Sequence, residues 1–200
     1  MIDEAAIKKF WNWFLEKEHL FYFGTENQDE LETLFDLVSE QLKTFNETIV
    51  CEFSPIREDK IKEFCISADG MKEAFDDVKS IVSLAPKHEH WEFTAFRQRI
   101  PGDSLGINMG DIKIGYEDLF FRFADQGDKF GIELNIRDYQ ESGREQNAIF
   151  ILMDALIGEY DVVMEIDWID WVKLEESNKE NLLPFVELRS IIDRRKTSTR

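Results

Sequence analysis

YDVVMEIDWIDWV, residues 160–172, alternates apolar and acidic side chains and reads as one long strand. Tyr160, Val162, Met164, Ile166 and Trp168 share one side of it. Glu159, just ahead of the run, falls on the other side with Asp161, Glu165 and Asp167. Alternate side chains on a strand stand about 6.6 Å apart. Four carboxylates in one row therefore repel one another unless something compensates them. From Glu145 to Val172 there are seven acids and no lysine or arginine, so the compensation comes from elsewhere. Water supplies it if the face is simply solvated. The same oxygens also suit Mg²⁺ or Ca²⁺, or a basic docking partner.

Across 200 residues, 43% are hydrophobic, with 17 Phe and 5 Trp, which is ample for one large core and argues against general disorder. Glycine (10) and proline (4) are scarce, and the length suits a single domain over 1–200. The formal charge of −18 repels phosphate backbones, so nucleic acid is not an expected partner. Charges interrupt the opening run MIDEAAIKKFWNWFLEKEH, unlike a secretory signal. No stretch nears the ~18 apolar residues of a membrane span. The expected location is the cytosol, where thiols stay reduced.

Ser142-Gly143-Arg144-Glu145 reads as a capping box for a helix to about Ile157, closed by Gly158. LFFRF (119–123) and KFGIELNIRD (129–138) flank a turn at Asp125-Gln126-Gly127-Asp128. The second of these turns Phe130, Ile132, Leu134 and Ile136 inward and Glu133, Asn135 and Arg137 outward. DIKIGY (111–116) and WEFTAFRQRI (91–100) are further strands, and a helix over 71–85 stops at Pro86. TIVCEFS and IKEFCISA form a hairpin whose apolar faces align, turning Cys51 inward and Cys65 outward, so no disulfide is expected. Two helices come first, Asp3 to about His19 and about Asp29 to Phe45. A last helix runs from about Leu182 to Arg194, followed by a basic tail over 195–200 that frays. No repeat is visible. The expected class is α+β: a mostly antiparallel sheet of about six or seven strands with helices packed on one face, two helices at the amino end and one at the carboxyl end.

The block ISADGMKEAFDDVKSIVSLAPKHEHWEFTAFRQR (66–99), with GEYDVV at 158–163, resembles a group of uncharacterised bacterial proteins of about this length. Those share a strand–helix–"AP"–Trp–"AFR" block and a later "GEYD" strand. The resemblance covers about half the chain and implies a bacterial cytosolic origin. It brings no activity with it.

Arg97 and Arg99 sit at alternate positions of an otherwise apolar strand. They read as partners for acids, including those at 159–167, or as an anion clamp that Arg122 could join. His88 and His90 have a zinc-compatible spacing but read as a polar loop. Ser104 lacks the setting of a nucleophile elbow. GxGxxG, the phosphate loop, HExxH, paired CxxC and the EF-hand loop are all missing.

The expectation is a non-catalytic acidic protein that engages a basic protein, with Glu159, Asp161, Glu165, Asp167, Arg97 and Arg99 as its binding residues. It expects no catalytic residue, no metal ligand and no cofactor. The alternatives are a carboxylate-based hydrolase, with or without a divalent metal, and a small-ligand module.

Overall fold

Asp3 opens α1 (Glu4–Glu16) by accepting the Ala5 N–H at 3.1 Å, and the helix buries Ile7, Phe10, Trp11 and Phe14. At Lys17 the backbone leaves the helical region (φ −113°), and α2 (Glu18–Gly24) follows. The break turns Phe21 into the core, where it stacks on Phe14 at 5.0 Å. Asn27 caps α3 (Gln28–Lys43). Three helices thus precede the first strand where the periodicity gives two, because helical spacing alone does not mark the break at Lys17.

The structure is a computed structural model that describes residues 2–198. The chain contains two compact units, Met1–Arg97 and Gln98–Arg200. In the first unit, β1 (Val50–Phe53) and β2 (Lys62–Ser67) pair antiparallel, with Cys51 opposite Ile66 and Phe53 opposite Phe64. That is the register the apolar faces demand. Both cysteines are free, and both are buried. α4 (Phe75–Ser83), entered through a 3₁₀ turn, crosses over to β3 (Trp91–Ala95), which lies parallel to β2. Rings of α1 cover one side of this sheet: Phe14 stacks on Phe64 at 4.8 Å, and Trp11 meets Phe93 at 4.6 Å.

β3 stops at Ala95, short of the expected end at 100. Phe96 takes a left-handed conformation (φ 67°), gives its N–H to Ile66 O at 2.8 Å and packs its ring against Phe75. Arg97 and Arg99 therefore lie beyond the strand, not along it.

In the second unit, a hairpin of β4 (Gly106–Met109) and β5 (Ile112–Gly115) precedes the sheet. β6 (Leu119–Asp125) and β7 (Phe130–Ile136) pair as expected, with the turn closed by Gln126 N–H on Lys129 O. α5 (Gly143–Ile157) begins at Ser142, whose side chain accepts the Glu145 N–H, and ends at Gly158 (φ 87°). Ile149, Leu152, Met153 and Leu156 share one buried cluster with Ile132, Leu134 and Ile136.

The expected long strand over 160–172 does not form. α6 (Glu159–Glu165) occupies its first half, and only Trp168–Lys173 is extended, as β8 parallel to β7. Val162 gives its N–H to Gly158 O and joins the buried cluster, with Ile166 packed against it. That i, i+4 pair satisfies a helix as well as alternation satisfies a strand. Acids at Glu159 and Asp161 also suit a helix amino terminus.

The last helix begins later than its periodicity suggests, because Leu183–Pro184 forms β9 on the edge of β6. α7 (Glu187–Ser198) then runs through the segment expected to fray, and Arg195 and Lys196 are tied into ion pairs; Thr199 and Arg200 lie outside the described residues.

The class is α+β, but among the described residues the strands form three small sheets of three, two and four rather than one of six or seven. Four of the six pairings are antiparallel. Each unit also contains the same path: a hairpin, a helical crossover, and a strand parallel to the hairpin's second member. The repeat is one of topology and leaves no trace in sequence.

Candidate functional site

With α6 helical, the four acids lose their common face. Glu159 is 1% exposed. Asp161 is buried and accepts Lys196 Nζ at 2.6 and 2.7 Å on its two oxygens, with Arg99 Nη2 at 2.9 Å. Glu165 lies 3.8 Å from Arg195. Asp167 accepts the Phe130 N–H at 2.7 Å and so starts the β7–β8 ladder.

Arg99 completes a neutral quartet. Its Nη1 reaches Asp193 at 2.7 Å, and its Nε donates to Ile157 O, an orphan carbonyl at the end of α5. The AFRQR and GEYD blocks are thus joined side chain to side chain, through Arg99 and Asp161. Buried charges persist when paired and hydrogen-bonded, which is how this segment tolerates its acids: the cations come from 62 and 35 residues away.

Arg97 binds Glu52 at 2.5 Å and Asp69 at 3.1 Å. Arg122 pairs with Glu133 across the β6–β7 hairpin, and the guanidinium holds the Glu133 carboxyl below its usual range. Arg189 ties the end of α5 to the loop before β4 through Leu156 O, Gly102 O and Asp103. Arg195 spans Asp125, Gly127 O and the Phe130 ring. The arginines read as a possible clamp all carry carboxylates. His90 N–H donates to His88 Nδ1 at 3.2 Å in a bend before β3, which fits a polar loop.

Four acids without a cation among the described residues line up on α3. Leu34, Val38 and Leu42 bury one side of this helix. Asp29, Glu32, Asp36 and Glu40 line the other at helical spacing, exposed, with no lysine or arginine within 4 Å among the described residues. The three- and four-residue spacing that identified α3 as a helix already carried this stripe. The acids of 159–170 are denser in sequence, but the fold pairs or buries most of them.

Among the described residues, no group of three or more His, Cys, Asp or Glu gathers as a metal site, and no helix is long and apolar enough to cross a membrane. Comparison with protein-family models, curated proteins and solved structures finds no match for this chain.

Proposed function

We propose that this chain is a non-catalytic acidic protein whose task is to bind a cationic partner protein, with the exposed side of α3 as the docking surface. One observation carries the reading: Arg97, Arg99, Arg122, Arg137 and Arg195 are each paired with acids of this chain, whereas Asp29, Glu32, Asp36 and Glu40 have no lysine or arginine within 4 Å among the described residues. Four like charges along about three turns of one rigid helix form a localised negative field. Such a field steers a basic surface toward it and sets its orientation on arrival. The stripe is exposed, so its attraction is screened within about 8 Å at physiological salt.

Capture on the immobilised chain tests this. Partners should be retained at about 50 mM salt and released by about 500 mM. They should be lost when Asp29, Glu32, Asp36 and Glu40 are all changed to lysine. A partner set indifferent to both salt and reversal contradicts the proposal.

A further inference from the structure

β8 is the open edge of its sheet, whose order is β8-β7-β6-β9. From Trp168 to Lys173 it makes no backbone hydrogen bond beyond its ladder with β7 among the described residues. On the side of the sheet away from α5, one row of side chains crosses the strands as Arg122, Glu133 and Asp170. Arg122 and Glu133 neutralise each other. Asp170 is exposed, stands beside a like charge, and has no lysine or arginine within 4 Å among the described residues. The next place in that row belongs to whatever strand pairs with β8, and a cation there completes the sequence plus, minus, minus, plus.

Around Asp170 the edge is apolar on both sides. Trp168 and Val172 share its face, and Ile169 and Trp171 share the other; all four are half-buried. Exposed Phe150 packs edge-on against Trp171 at 5.5 Å, widening the second surface. Trp168 lies flat across β7. A Cβ at position 131 would collide with Trp168 Cε2 and Cδ2, the two atoms of the ring fusion, so the indole plane faces the backbone.

We propose that β8 takes up an extended segment of a partner protein by strand addition, with lysine or arginine opposite Asp170 and apolar residues on either side of it. Main-chain hydrogen bonds supply affinity in this mode and the alternate side chains supply selectivity. A second copy of the chain is disfavoured, since the antiparallel register that pairs Trp168 with Val172 sets Asp170 against its own counterpart, and the fully centred register sets it against Trp171, neither supplying a cation.

The probe is the peptide acetyl-Val-Thr-Lys-Val-Thr-amide, beside its counterpart with glutamate for lysine, titrated onto the isotope-labelled chain. The lysine peptide should bind saturably and slow amide exchange at Ile169, Trp171 and Lys173, whose N–H groups alternate with those of the β7 ladder. Asp170→Lys should weaken it about fivefold to tenfold and reverse the preference toward the glutamate peptide. Unchanged amide protection in α5 and β7 confirms that this exposed substitution leaves the fold intact. Absence of binding at about 1 mM overturns the inference; so does equal affinity for both peptides, or protection that appears away from β8. The α3 stripe takes no part in these readouts, so failure here leaves that reading standing.

Discussion

Gly131 shows how much one missing methyl group can matter. Its place in β7 lies beneath the Trp168 indole, and any Cβ collides with the ring fusion rather than with a flexible tip. Gly131→Ala should therefore force Trp168 off the sheet and cost about 1–3 kcal/mol, the usual toll of overpacking. A fall in melting temperature with a red-shifted tryptophan emission checks it; a gain in stability from the stiffer residue would refute the packing. Asp161 is the second such position. Asp161→Asn keeps the shape but leaves Arg99 and Lys196 facing a neutral group. Both cations are about one-third exposed, so the loss should be about 2–3 kcal/mol, below the roughly 3–5 of a fully buried pair. Urea unfolding measures it. At Cys51, burial pushes the thiol up to about 12, so it should resist alkylation at neutral pH until the chain unfolds.

At the scale of elements, legibility tracked how local the deciding interaction is. Ser142, the α5 periodicity and Gly158 are contiguous signals, and that helix lies where the sequence places it. The β1–β2 register was equally legible, since shifting it by one residue turns every apolar side chain to the wrong face. The segment 159–167 failed for the opposite reason. Its alternation fits a strand, but Arg99 and Lys196 make burial of Asp161 tolerable in a helix, and neither is near in sequence. The left-handed Phe96 that ends β3 was hidden too, because its cause is a ring contact with Phe75 in another element. Gly158 is the hinge of the α5–α6 corner, with φ at 87°. Gly158→Ala should cost about 1–2 kcal/mol, because a side chain disfavours that conformation. Thermal melting reads the effect, and an unchanged midpoint would mean the corner is not held as described.

For the whole molecule, charge dominates. Asp125 is held below its ordinary 3.8, first by the Gly127 N–H and then by Arg195, and Glu133 is held below 4.5 by Arg122. Carboxyls lowered in the folded state contribute stability that is present above their unfolded values and lost as pH falls through the folded ones. Stability should thus hold down to about pH 5 and fall on further acidification; a midpoint that rises below pH 4 would contradict the pairings. The same acidity makes partner binding easy to mimic with charge alone, so location must be separated from net charge. Two variants do so: Asp29, Glu32, Asp36 and Glu40 changed to lysine, against Glu16, Glu47, Glu58 and Glu73 changed likewise, the latter being exposed and scattered. The two carry the same net charge. The affinity of a captured cationic partner for each is the deciding measurement: loss of at least tenfold confined to the α3 variant is predicted, and equal weakening by both would show that the helix is no docking surface.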